Sequence, residues 1–483
     1  MKTLNKLFTS AVLLSAPLIL HAQTNTAEQI KQVENNLFGR VQIAGEKPWN
    51  LADRMAYYKI PGVSIAVIQN HKIIWAKGYG FANDSAKTPV TAQTLFQAGS
   101  ISKSLNAVGV MRLVQQKKLN LDADINNYLT SWKFPYDSIS KGKKITMANL
   151  LSHSAGINVH GFGGYEPGTP LPTIVQVLNG EKPANTPRIH SVTAPGSGYQ
   201  YSGGGITVAQ LMVMDVTHQP YADYMKKEVL KPLGMNGSTF AQPATDVDQK
   251  LLAIAYNEDE KPIRGNYHIY PEQAAAGLWT NPTDLAKYII WMQLAYEGKS
   301  AKVLNTASVK QMFTVHAGSD AGLGVFISKP DSVFYFSHDG ADAGFRARYV
   351  GSFEGGNGVV VMVNSNNDGV INELINSVAK VYGFKGLYHP NIKTLVPVSA
   401  ELLKTYTGKF LIGPPRTLTI TEIGGHLFAQ AIGDIKRELY PQSVNRFFFR
   451  DLNYELEFNK DAEGKMHLIF YGDGGKMELK RAD

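Results

Sequence analysis

From Ser100 to Lys118 the apolar residues Ile101, Leu105, Val108, Met111 and Val114 recur at helical spacing. That periodicity predicts a helix with Ser100 near its amino end. A different texture precedes it. Residues 63–67, a turn at Asn70-His71-Lys72 and residues 73–78 read as a β-hairpin. Further strands are predicted late, at 333–336, 345–351 and 359–364, followed by a helix at 370–381. Between these ends, residues 100–230 are helices and long loops rich in Gly, Pro and Asn. An amphipathic stretch at 24–38 supplies a first helix. Strands near both ends with helices between imply a sheet made from distant segments and capped by the first and last helices.

After about Thr394 the pattern changes again. Short strand-like runs at 406–412, 417–423, 426–430, 437–440, 446–449, 452–458, 466–471 and 477–480 alternate with turn residues. Regular spacing of this kind predicts a small antiparallel meander or barrel. With the change placed near Val396-Pro397, the expected division is residues 23–395 for a main domain and 396–483 for a small all-β domain.

The first 22 residues read as an export signal. Lys2 and Lys6 precede an apolar stretch at 7–20, and Leu20-His21-Ala22 offers a small-residue cleavage site. That apolar stretch, broken by Pro17, is too short to span a bilayer comfortably, and no later stretch of sequence reads as a membrane span. The chain has no cysteine, so disulfides and a lipidated amino terminus are excluded. A periplasmic or secreted location is the expectation. The formal charge of +8 is scattered, with one cluster at Lys141-Gly142-Lys143-Lys144. A short cluster of this kind reads as a solvated loop, so no nucleic-acid partner is expected.

Against that background, Ser100 and Lys103 carry the most informative chemistry. Three residues apart at a helix start, they share one face, a hydroxyl beside an amine. This is the geometry of a nucleophile with its proton acceptor. Three other pairs share the spacing: Ser138 with Lys141, Ser140 with Lys143, and Ser377 with Lys380. The first two lie in a polar stretch after Pro135 that reads as a surface loop, and Ser377 falls inside a helix as a solvated or back-bonded residue. Only Ser100 joins a preceding glycine, a helix start and a following apolar stripe. Other groups that an alkoxide chemistry needs are available. Tyr201 precedes the run Gly203 to Gly205, and Ser337-His338-Asp339-Gly340-Ala341 follows a predicted strand. His153 and His160 lack a His-Glu-x-x-His pattern or a cysteine cluster, so no metal is expected, and His153 reads as a loop brace. Gly-x-Ser-x-Gly occurs nowhere, which disfavours an α/β-hydrolase.

Taken in order, these motifs resemble the penicillin-recognising serine hydrolases: class C β-lactamases, low-molecular-weight penicillin-binding proteins and their esterase and D-aminopeptidase relatives. The resemblance spans roughly residues 50–365. Three motifs carry it: Ser100-x-x-Lys103, Tyr201-Ser202-Gly203 where the family has Tyr-x-Asn, and His338-x-Gly340 where β-lactamases have Lys-Thr-Gly. Helper segments are Ile60-Pro61-Gly62-Val63, the run from Leu150 to Gly156, the run from Pro232 to Met235, and Ala276-Gly277-Leu278. The fold implied is α+β and β-lactamase/transpeptidase-like: an antiparallel sheet flanked by terminal helices, a helical subdomain, then the small β domain.

The resemblance also implies roles. Ser100 attacks the carbonyl carbon, Lys103 accepts the serine proton, and Tyr201 relays it to the leaving group; which of Lys103 and Tyr201 is the base stays open. His338 faces the cleft from a sheet edge and polarises Tyr201 or binds substrate. The amides of Ser100 and Ala341 form the oxyanion hole, and Gly340 lets the substrate approach. No cofactor is implied; the partner is a small-molecule or peptide substrate.

Two departures bear on the substrate. Gly203 lacks the amide that contacts an acylamino group, and His338 lacks the permanent charge that attracts a carboxylate. Both lean toward an exported hydrolase of esters or amides, esterase-like or D-amino-acid-peptidase-like. The alternatives are a β-lactamase or D-alanyl-D-alanine carboxypeptidase and, in another class, a catalytically inactive cell-envelope binding module.

Overall fold

The computed structural model describes residues 16–413, 416–432, 434–472 and 475–482. Residues 1–15 of the expected export signal lie outside them. Seven strands form the principal sheet: β1 (Gly62–Gln69), β2 (Lys72–Asn83), β3 (Thr88–Pro89), β4 (Phe326–Ser328), β5 (Tyr335–Asp342), β6 (Phe345–Ser352) and β7 (Gly358–Val363). Their spatial order is β3-β2-β1-β7-β6-β5-β4. The early hairpin and the late strands join where β1 pairs antiparallel with β7, from Val63↔Val363 to Ile68↔Gly358. The hairpin turn forms where expected. Asn70 and His71 both take positive φ, 51° and 59°, the twist that a two-residue hairpin loop needs.

Five helices matter for the site and the core: α1 (Ala16–Asn35), α2 (Ser102–Gln115), α3 (Gly203–Thr217), α4 (Pro282–Tyr296) and α5 (Gly369–Tyr382). The sheet has a core on each face. Val63, Ile65 and Val67 pack with Val359, Val361 and Val363 beneath Val33 of α1 and Val370, Leu374 and Val378 of α5. Ala66, Ile68, Val360 and Met362 face the other core, with Leu285, Ile289 and Met292 of α4 and the apolar residues of α2. Strands covered on both faces read as near-continuous apolar runs rather than alternating ones.

Four readings of the sequence change in detail. The strand predicted at 333–336 runs on to Asp342, because 337–342 pair with 345–350 across a tight hairpin. His338 therefore lies within a strand, not after it. α2 is buried almost all round, Ser104, Asn106 and Gly109 included, because sheet, α3 and the segment around Met225 enclose it. Ser377 is neither solvated nor back-bonded: it is fully buried and donates 2.8 Å to the Val33 carbonyl, tying α5 to α1. Ser138 to Ser140 form a 3-10 turn with Ser140 buried, whereas 141–144 are exposed as expected.

The tail forms an eight-stranded antiparallel sheet in simple sequential order, from Gly408–Gly413 to Gly475–Leu479. Its two end strands meet through Leu411 N–H to the Lys480 carbonyl, 2.9 Å, and Ala482 N–H to the Lys409 carbonyl, 2.7 Å. Alternate residues such as Phe410, Ile420, Leu456 and Leu468 fill the interior. Residues Ala400–Thr405 form a short helix capped by Ser399 before the first strand, so Tyr406 follows a helix instead of opening a strand. A parallel pair unforeseen from sequence, Val41–Ile43 with Asn391–Lys393, packs Val41 and Ile43 against Phe448 of the β domain.

Candidate active site

A sharp turn carries Ser100. Gly99 takes φ +50°, then Gly99–Ile101 forms one 3-10 turn that runs into α2. The turn is anchored on the segment Ala276-Gly277-Leu278: Ala98 N–H donates to the Leu278 carbonyl at 2.8 Å, and Leu278 N–H donates to Ser102 Oγ at 3.0 Å. It also presses against β5. A Cβ on Gly99 would come within 2.5 Å of the Ala341 amide nitrogen, and one on Gly340 within 1.9 Å of the Ala98 carbonyl oxygen. Gly340 is thus demanded by the chain's own backbone. Gly340→Ala is expected to cost roughly 1–3 kcal/mol, since backbone cannot yield as a side chain does. Thermal unfolding checks this, and an unchanged midpoint contradicts it.

Within this frame Lys103 Nζ donates 2.9 Å to Ser100 Oγ and 2.7 Å to the Ala275 carbonyl. The lysine is 2 % exposed. Burial disfavours its charged form and pushes it down to about 7, although the field of Asp342 works the other way. Tyr201, at the cleft wall, is pushed up to about 12 by burial, and a hydrogen bond with Ser100 partly offsets this. The Lys103 nitrogen lies 5.1 Å from the Tyr201 ring centre.

His338 reaches the same cleft from β5, its ring centre 6.5 Å from that of Tyr201. Its Nδ1 lies 2.7 Å from the Asp339 carbonyl oxygen, while Nε2 is buried without a partner. Burial, then the nearby Lys103 charge, depress it to about 3. It is a neutral imidazole near pH 7. β4 pairs with β5 only from Tyr335 to Ser337, so beyond that point β5 presents an open edge.

Ser100, Tyr201, His338, Gly340 and Ala341 line one cavity of about 540 Å³. Lys103 lies beneath its floor.

Several groups were not legible as parts of this site. His160 lies 4.8 Å from the Tyr201 ring and Phe326 6.4 Å. His153 stacks on Tyr201 at 4.2 Å and accepts 3.1 Å from the Ser202 amide, the bracing the sequence implied. At Gly203, where the family carries asparagine, a Cβ would meet Phe162 at 2.9 Å and the His160 carbonyl at 3.0 Å. Phe162 and His160 occupy the room an asparagine would need. Among the described residues no cluster of His, Cys, Asp and Glu could hold a metal ion.

The fold and this cleft define a serine hydrolase. The chain belongs to the β-lactamase family: a family model described as Beta-lactamase matches residues 50–380. It is 21% identical over 442 residues to penicillin-binding protein 4* of Bacillus subtilis (strain 168), a match covering 86% of this chain and 94% of that protein. The octameric penicillin-binding protein homologue from Pyrococcus abyssi shares the fold with a TM-score of 0.61 at 22% identity, over 89% of this chain and 98% of that one. The D-amino acid amidase of Ochrobactrum anthropi SV3 does so with a TM-score of 0.57 at 18% identity, over 74% and 99%.

Proposed function

We propose that this protein is an exported hydrolase that cleaves an ester or an amide through an acyl-Ser100 intermediate. One observation carries the reading: the Lys103 amine sits 2.9 Å from the Ser100 hydroxyl in a dry pocket that keeps it deprotonable. In the forward step Lys103 takes the Ser100 proton as Oγ bonds the substrate carbonyl carbon. The amide hydrogens of Ser100 and Ala341 receive the oxyanion. Tyr201, a neutral phenol at working pH, gives its proton to the leaving group and regains one from Lys103. Water then repeats the cycle on the acyl-enzyme. The sequence left the base open; the 2.9 Å contact and the depressed lysine favour Lys103 over Tyr201. Export rests on the charge and apolar pattern of residues 1–22.

Substrates that need neither a cation at the His338 position nor a side-chain amide at Gly203 fit best. A neutral His338 offers no cation for a carboxylate, and Gly203 offers no amide for an acylamino group. The D-amino acid amidase with the same fold makes D-amino acid amides the first amides to try. Kinetics with a p-nitrophenyl acyl ester, a D-alanine amide and nitrocefin test this. Ester or amide should exceed nitrocefin in kcat/KM by ~10–100-fold, the scale of one or two lost hydrogen bonds to a charged group. Faster nitrocefin turnover would reverse the substrate reading. No turnover and no adduct with any of the three would favour a binding module.

A further inference from the structure

Two buried carboxyls take no part in the mechanism above: Asp342, close enough for its charge to act on Lys103, and Glu272, three residues before the Ala275 carbonyl that holds Lys103. Asp342 ends β5, two and four residues past Gly340 and His338, so strand alternation turns it to the same face, toward α2. It is 5 % exposed, and Glu272, which opens the turn Gln273–Ala276, is fully buried. No well-formed hydrogen bond reaches any of the four carboxylate oxygens, although the Gly99 amide lies near enough to favour ionised Asp342 and the Glu272 amide ionised Glu272. Lys103 in turn makes no ion pair within 4 Å among the described residues. It is tied to the Glu272 turn through backbone: Nζ donates to the Ala275 carbonyl, and Ala275 N–H donates to the Glu272 carbonyl at 3.0 Å. Tyr270 joins the group, its hydroxyl accepting 3.0 Å from the Ala343 amide beside Asp342.

A buried ammonium without a paired carboxylate is costly, and so is a buried carboxylate without a cation. Two acids in one dry region cannot both ionise cheaply. We infer that Asp342 is a positioning residue for Lys103: it supplies the counter-charge that lets the buried amine carry a proton, and Glu272 competes with it for that single negative charge. Other groups near Asp342 are Arg346, whose Nη1 is held by the Asp342 and Phe345 carbonyls, the neutral His338 on the same strand, and Tyr270. Burial opposes a charge on either acid, and the mutual attraction of Lys103 and Asp342 works against it. Lys103 and Asp342 each favour the other's charged form, whereas Glu272 disfavours ionised Asp342.

Asp342 thereby sets the pH range in which Ser100 is activated. This rests on Lys103 being the base. The test is the rate at which a fluorophosphonate probe phosphonylates Ser100, with loss of fluoride, against pH, for wild type, Asp342→Asn and Glu272→Gln. Without the Asp342 charge Lys103 loses its proton more readily, so the acid limb of Asp342→Asn moves down by a pH unit or more. Without Glu272, Asp342 ionises more readily, so the limb of Glu272→Gln moves up. A residue that only fills space lowers the rate without moving the limb. An unmoved limb in either variant, or shifts of the same sign, overturns the inference. If Asp342→Asn does not fold, Glu272→Gln decides alone, an upward shift supporting the inference and any other result overturning it. A wild-type profile with no acid limb would instead reject Lys103 as the base.

Discussion

Replacing Ser100 by alanine should lower kcat/KM on the order of 10⁶-fold, as loss of the nucleophile does in a serine protease. The fold should survive it. Ser100 sits on a turn held by backbone and by Ser102, whose Oγ donates 2.6 Å to the Gly99 carbonyl, and Lys103 keeps its bond to the Ala275 carbonyl. Activity and thermal unfolding measured on one preparation separate the two effects. An unchanged unfolding midpoint with lost turnover is the expected pair. Retained turnover in Ser100→Ala would mean that another residue attacks.

Lys103→Met removes the proton acceptor and should lower kcat/KM by roughly 10²–10⁴-fold, the range of a positioned general base. Arginine cannot restore it, because a guanidinium stays charged and holds its protons. The wild-type pH profile carries the same information. The base must be neutral, and burial pushes Lys103 down to about 7. Below that value the ammonium dominates, and kcat/KM should fall tenfold per pH unit. Above it the rate should level off, until Tyr201, pushed up to about 12, loses the proton it must donate. A profile flat down to pH 5 would contradict the assignment.

Short-range signals in the sequence account for much of this picture. The hairpin at Asn70-His71, the α2 periodicity and all eight strands of the tail follow from local patterning, with ends shifted by a few residues. Ser100 and Lys103 were legible because a helix start fixes their spacing. Tyr201 and His338 were legible only as motifs in order, since nothing local says that α3 and β5 meet at α2. What escaped depends on long-range contacts. The Ala275 carbonyl that holds Lys103 has no side-chain signature. Phe162 filling the room beside Gly203 depends on a loop that folds back on α3. Asp342 could have been found by extending the strand alternation from His338, but the strand was expected to stop at 336.

The same reasoning separates the glycines. Gly99 faces the Ala341 backbone and Gly340 the Ala98 carbonyl across the junction between the Ser100 turn and β5. Gly203 instead opens a helix whose neighbours already fill the side-chain space. Two glycines let the Ser100 turn reach the strand; the third offers no side-chain amide to the cleft.

Every step of the chemistry described depends on a covalent bond forming at one oxygen atom. Intact mass after brief exposure to a fluorophosphonate, followed by peptide mapping, measures that bond directly. The expected result is a single adduct per chain on the peptide holding Ser100, and none on Ser100→Ala. An adduct mapped to any other residue, or one that persists in Ser100→Ala, would contradict it.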